Sequence, residues 1–298
     1  MLIEELLHYK SCSVVGLEKN TGKTVCLNYL LQHLPQTTRV AVTSIGLDGE
    51  RRDQVTGTHK PEITLRRDTL FATSEKHYRQ RRLVSELTDI TDIPTALGRL
   101  ITARVLIEGQ VILSGAPSTA DLRRWMDSVE NKVDLILVDG ALSRMSLASP
   151  AISQSMILAT GAAYSANIDT LVRKTKYLVS LIQLPLYQET AHHDEEQLIR
   201  IHGAVTDRVL EQILNDPSAR SKELVIQDFT RVFADEMLWH RFTRQHAVSQ
   251  MQRSQLLAIT VNPIAPNGMT LDSELLCARM SEAVNLPVYD LMKINTVP

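Results

Sequence analysis

Apolar residues in this chain gather in short runs separated by amphipathic stripes, and the two alternate along most of its length. Cys12 to Val15 is one such run. Too short for a helix, rich in β-branched residues and closed by Gly16, it reads as a buried strand following a short helix at Met1 to Lys10. Thr24 to Leu34 then repeats its apolar positions at helical spacing and stops before Pro35, so the local order is strand, loop, helix. Arg39 to Ile45 predicts a second strand and Glu62 to Leu70 another. Ser74 to Leu87 and Thr95 to Thr102 read as helices, and Val105 to Ser114, interrupted at Glu108-Gly109, as two short strands or a hairpin.

Ser118 or Thr119 is placed to cap a helix running to about Val129, with Asp121 favourable in its first turn. Asp134 to Asp139 is nearly all apolar between its ends, which predicts a strand covered on both faces and hence a parallel sheet. Met156 to Ala159 is a further strand and Ile168 to Leu184 a helix. From Leu186 to Gln255 the texture changes to a charged opening and two strand-helix units, Leu198 to His202 with Thr206 to Leu214, and Leu224 to Gln227 with Thr230 to His246. The core pattern resumes at Leu256 to Val261, with a helix at Asp272 to Val284 and a strand at Pro287 to Leu291. The alternation predicts an α/β, doubly wound, mostly parallel sheet with helices on both faces, a three-layer α/β/α single domain over 1–298, with 186–255 as an α/β insertion.

Composition narrows the function. The 298 residues carry 32 Lys+Arg against 34 Asp+Glu, a balance unlike that of proteins built to grip nucleic acid or an acidic membrane. No apolar run approaches the roughly 20 residues that cross a bilayer, and the N-terminus lacks a basic flank, so the expected location is the cytoplasm. Cys12, Cys26 and Cys277 are odd in number and widely spaced, and read as buried thiols.

Gly16-Leu-Glu-Lys-Asn-Thr-Gly-Lys-Thr24 is the most informative stretch. A phosphate cradle needs inward backbone N–H groups at a helix N-terminus, a Lys for the outer phosphates and a hydroxyl for Mg²⁺. Gly22, Lys23 and Thr24 supply these between a strand and a helix, so Glu18, Lys19, Asn20, Thr21, Gly22, Lys23, Thr24 and Val25 are the candidate nucleotide-binding residues. Five residues separate Gly16 from Gly22 where the standard pattern has four.

That spacing resembles dethiobiotin synthetase and its relatives, P-loop enzymes with a loop of this length. Leu137-Val-Asp-Gly-Ala141 is similar to their Val-Glu-Gly-Ala segment, Leu158-Ala-Thr-Gly161 through Asn167 to the strand and loop that follow, and Thr260 to Gly268 to their Asn-containing loop. The resemblance implies that Lys23 contacts phosphate, that Thr24 and Asp139 hold Mg²⁺, and that Asn262 reads adenine, which favours ATP over GTP. It spans the first strand and loop, the middle and about the last forty residues. The family's Lys-Pro after its second strand is replaced by Gly46-Leu-Asp-Gly-Glu50. Val15 to Thr24, Thr43 to Glu50 and Asp139 to Arg144 together also resemble P-loop proteins associated with amino-acid fermentation and thought to help maintain cobalamin-dependent lysine or ornithine aminomutases.

Asp48, Glu50 and Asp53 lie where a P-loop enzyme often sets a carboxylate toward metal or water, and Asp48 is the catalytic candidate beside Lys23. Arg144 either stabilises phosphoryl charge or pairs at the surface. Gly115 to Thr119 offers hydroxyls to a cleft or to a helix cap. His192 to Glu196 reads as a solvated helix start, Arg79, Arg81 and Arg82 as a wetted helix face, and Trp239 with Phe233 and Phe242 as core of the insertion. The expected function is a Mg²⁺-dependent ATPase acting as a switch or reactivation factor for a partner enzyme such as an aminomutase. The alternatives are an ATP-dependent ligase or kinase for a small carboxylic acid, and a nucleotide-binding module with little turnover. Related switches pair across their active sites, so a homodimer belongs to the same expectation.

Overall fold

The structure is a computed structural model that describes residues 2–45, 62–141, 152–189 and 195–294. After a short helix α1 (Leu2–Leu6), strand β1 (Ser11–Gly16) leads into α2 (Lys23–His33), and β2 (Val40–Ser44) follows. Next come β3 (Ile63–Leu65), β4 (Leu70–Ser74), α3 (Glu75–Arg79) and two long strands, β5 (Arg82–Thr95) and β6 (Gly98–Val111). Helix α4 (Thr119–Val129), β7 (Leu135–Ala141), β8 (Ser155–Gly161) and α5 (Ile168–Ile182) complete the first part. Then β9 (Leu198–Ile201), α6 (Asp207–Asn215), β10 (Glu223–Ile226), α7 (Glu236–Thr243) and β11 (Val248–Gln250) precede β12 (Gln255–Asn262), α8 (Ser273–Val284), β13 (Val288–Tyr289) and α9 (Leu291–Ile294).

The main sheet runs β13-β12-β8-β1-β7-β2-β4-β6-β3, with β5 pairing β6. From β13 to β4 every neighbouring pair is parallel, whereas β6 runs antiparallel to β4, β3 and β5. The architecture is therefore α/β with a large, mostly parallel, mixed sheet. Side-chain alternation explains its layers. Cys12 and Val14 of β1 and Leu135 and Leu137 of β7 pack with Cys26, Leu27, Leu30 and Leu31 of α2. Ile136 and Val138 point the other way, onto Leu122, Trp125 and Met126 of α4. Val15 and Leu158 do the same against Leu171 of α5 and the α8 side chains Leu276 and Met280. With helices on both sides, β1, β4 and β8 are buried at every position.

Caps mark the helix starts, and the one at Ser118 is as the sequence predicts. Ser118 Oγ accepts the Asp121 N–H at 3.1 Å, and Asn167 and Asp272 take the equivalent bonds on α5 and α8. No helix among the described residues is long and apolar enough to cross a membrane.

Residues 74–111 depart from the sequence reading. The helix beginning at Ser74 stops at Arg79, Thr95 to Thr102 is a hairpin turn and strand instead of a helix, and Val105 to Ser114 begins inside one long strand. Register shifts at Arg82/Val84, Val84/Ser85, Leu87/Asp89 and Ile90/Pro94 explain the difference. Each bulge resets the two-residue alternation that identifies a strand, leaving a sequence whose apolar spacing mimics a helix. Glu62 to Leu70, read as one strand, is the short β3 and a turn leading into β4.

Between α5 and β12 the chain forms a separate parallel sheet, β11-β10-β9. It is joined to α5 by Tyr177 Oη donating to the Ala234 carbonyl at 2.9 Å, and by Gln250 Nε2 donating to the carbonyls of Ile182 and Leu184. Trp239 and Phe242 are buried here, their ring centroids 6.4 Å apart, but Phe233 is 56% exposed and is no part of that core. Helix α7 is also shorter than the Thr230 to His246 stripe.

Candidate functional site

The parallel strands of the main sheet finish at one edge, which carries the loop after β1, Asp139 near the end of β7 and Asn262 at the end of β12. β1 ends at Gly16, which pairs with Ala141 on β7 and Ala159 on β8. The chain leaves β1 through α2 toward β2 on one side, whereas β8 lies on the other, so the loop after β1 sits where the connections diverge. Crevices at such points are the usual ligand sites of α/β sheets.

Leu17 is held by its N–H to the Ala159 carbonyl at 2.9 Å, and the loop then folds on itself. Thr21 is buried, and its hydroxyl donates to the Glu18 carbonyl at 2.9 Å. Asn20 and Gly22 adopt positive φ, 63° and 90°. At Gly22, the N-cap of α2, a side chain would be strained, which explains the glycine. Among the described residues no protein acceptor takes the backbone N–H groups of Asn20 to Val25. Open donors at the positive end of the α2 dipole are the kind of group that suits an anion. The Lys23 stem lies against Gly16, where an added Cβ would come within 2.6 Å of it. Its ammonium forms no ion pair among the described residues. Glu18, Lys19 and Asn20 are exposed, and Thr24 and Val25 are half-buried in the first turn of α2.

Asp139 pairs with Val14 on one side and Ser44 on the other, and alternation turns it to the α2 face with Leu135 and Leu137. It lies close enough to α2 that its charge acts on Cys26, whose thiol is pushed well up by burial, then by Cys12 and by Asp139. The sheet therefore places this carboxylate on the side of β7 that α2 covers. Cys12 is likewise buried, its thiol raised to about 12 by desolvation, whereas Cys277 is half-exposed.

Asn262 closes the opposite side of the loop. Its Nδ2 donates to the Asn20 carbonyl at 2.9 Å, and its Oδ1 accepts from the Ile264 N–H at 3.1 Å. One N–H and one lone pair remain on the amide after these bonds. The Asn262 backbone pairs with Gly161, where a Cβ would lie 2.0 Å from the Asn262 carbonyl oxygen, so the two strand ends meet only because residue 161 has no side chain. Tyr164, just beyond, has its hydroxyl pKa raised by burial and by the nearby Glu18, and the Lys174 ammonium lies 5.2 Å from its ring centroid. Neither Tyr164 nor Gly161 had a role in the sequence reading, because only the folded edge brings the end of β8 to the loop.

Other sequence candidates separate. Ser118 is engaged as a helix cap. Ser114 is buried in a network whose Oγ lies 2.8 Å from His77 Nδ1 and 3.0 Å from Thr73 Oγ1, accepts the Ser74 N–H and donates to Ser74 Oγ. The helix assigned to Ser74 to Leu87 concealed this network. Arg79, Arg81 and Arg82 do not share a helix face: Arg79 pairs with Glu75, Arg81 stacks on Tyr78 with its Cζ 3.9 Å from the ring centroid, and Arg82 begins β5. Asp48, Glu50, Asp53, Arg144 and His192 to Asp194 lie outside the described residues. No protein-family model, curated protein or solved structure matches the chain.

Proposed function

We propose that this chain is a Mg²⁺-dependent P-loop ATPase, related to the dethiobiotin-synthetase-like branch, that works as a nucleotide-driven switch or reactivation factor for another metabolic enzyme. The observation carrying the reading is the loop between β1 and α2, with its positive-φ Asn20 and Gly22, unpaired N–H groups and a Lys23 ammonium without an ion-pair partner among the described residues. The strand order β2-β7-β1-β8-β12 supports it, since it sets Asp139 on the strand between β2 and the loop strand.

In this reading the amides and Lys23 hold the outer phosphates and oppose the negative charge that accumulates on them during phosphoryl transfer. Thr24 and Asp139 supply the hydroxyl and carboxylate that Mg²⁺ accepts, and the ion would neutralise phosphate charge there. Asn262 braces the loop through Asn20 and offers its remaining donor and acceptor to adenine, favouring ATP over GTP. Asp48 is the candidate for orienting water. The switch is preferred over a ligase or kinase because Ser118, one of the two hydroxyl residues in Gly115 to Thr119, is engaged as the cap of α4.

Calorimetry with Mg-ATP and Mg-GTP tests the site. Binding should favour ATP and disappear in Lys23→Ala while circular dichroism stays unchanged; equal heats from the variant would overturn the reading. Single-turnover hydrolysis should release phosphate without phosphorylating or ligating a small acid.

A further inference from the structure

Cations gather at the edge of the main sheet opposite the loop after β1. Where β2, β4 and β7 begin there is a cavity of about 560 Å³, a volume in the range of small-molecule sites, lined by Arg39, Arg66, Arg67, Arg104 and Lys132. Among the described residues that line it, Asp68 is the one carboxylate.

Two further acids stand close by, and together with Asp68 they divide the cations into two kinds. Arg39 pairs with Asp134 at 2.6 Å, Arg104 approaches Glu86 at 3.6 Å and Arg67 approaches Asp68 at 3.8 Å. Arg66 and Lys132 have no carboxylate at ion-pair distance among the described residues. Arg66 is fixed by other means: its guanidinium donates to the carbonyls of Leu34, Pro35 and Thr38 at 2.7, 2.8 and 2.9 Å, and burial pushes its pKa down. A guanidinium carries five N–H donors, so two remain. A half-buried cation with no counter-charge is stabilised by an anion that enters beside it.

Thr69 adds an independent observation. It lines the cavity and is 2% exposed, and its hydroxyl has no hydrogen-bond partner among the described residues, although its backbone N–H and C=O are both bonded. A buried hydroxyl left unpaired is unfavourable. With the cations around it, it suits a ligand rich in acceptor oxygens.

We propose that this cavity is a second anion site and takes a small phosphorylated molecule, with Arg66 and Lys132 holding its charge and Thr69 donating to one of its oxygens. Guanidinium forks match phosphate oxygens, and Arg39, Arg67 and Arg104 can turn to the ligand because exposed ion pairs exchange partners at little cost. The site lies at the opposite end of the strands from the loop after β1 and does not rest on the nucleotide reading.

Calorimetric titration of inorganic pyrophosphate, without magnesium, into the full chain carrying Lys23→Ala separates this site from the loop. Saturable binding is expected. Added to that chain, Lys132→Gln and Arg104→Gln should each weaken it roughly tenfold. Asp68→Asn should tighten it, since asparagine keeps the left-handed φ of 65° and removes the opposing charge. Lys132 and Asp68 are both exposed, so neither change should disturb folding. Thr69→Val should lower affinity without loss of thermal stability, because it removes an unpaired hydroxyl; unchanged affinity strikes that hydroxyl from the site. No saturable heat, or binding indifferent to both Lys132→Gln and Asp68→Asn, overturns the proposal. Citrate binding more tightly than pyrophosphate overturns the phosphate class.

Discussion

In the parallel part of the sheet, from β13 to β4, helices lie over both faces and strands such as β1 and β8 expose none of their residues. In the β5-β6 ribbon the connection is a hairpin, α4 covers only part of one face, where Trp125 Nε1 donates to Thr102 Oγ1, and β5 buries little besides Leu83 and Ile93. Both regions are built from extended chain rich in apolar residues, but their surroundings differ. A crossover must carry a helix back across the sheet and so covers it, whereas a hairpin returns without cover. Consequently the parallel region has an interior and one edge where loops and helix N-termini converge, and the ribbon leaves Val84, Leu87, Ile90 and Ile107 exposed.

The sharpest way to break this contrast is to truncate one apolar residue in each region. Leu137→Ala, fully buried on β7, should cost about 2–5 kcal/mol, whereas Ile107→Ala on the ribbon should cost under about 1 kcal/mol in chemical denaturation of the monomer. Equal losses would mean that the ribbon is a covered layer.

Gly161→Ala probes the functional edge itself. The new methyl meets the Asn262 carbonyl, so the ends of β8 and β12 must part, at about 1–3 kcal/mol. Because Asn262 braces Asn20, nucleotide affinity should fall as well; a variant with unchanged affinity would show the brace to be dispensable.

The smallest effect is expected at the opposite edge. Arg39 donates to Asp134 through its guanidinium, at 2.6 Å, and its backbone, holding the Asp134 pKa near about 2. A depressed carboxylate stabilises the fold above its unfolded value of about 4, and that contribution disappears as pH falls through about 2. With both side chains exposed, Asp134→Asn should cost under about 1 kcal/mol at neutral pH, and the difference from wild type should vanish in acid melts.

The parallel region was also the more legible one. The run at Cys12 to Val15, the Asp134 to Asp139 run and the cap at Ser118 could be read without coordinates, because burial on both faces writes a continuous apolar signature and a cap is a local hydrogen bond. The strand-loop-helix from Ser11 to His33 was legible for the same reason: it depends on contiguous residues. Residues 74–111 were not, since bulges erased the alternation and the length of β5 and β6 comes from their pairing with each other.

The amino-acid sequence by itself determined the strand-loop-helix around Gly22 and Lys23 and the alternation that makes an α/β chain. Tertiary structure alone decided that Asp139 lies under α2, that Asn262 reaches across 242 positions to brace Asn20, and that β5 is left as a rim. Local chemistry is set by neighbours in the chain, whereas a meeting of distant strands depends on the order in which the sheet assembles.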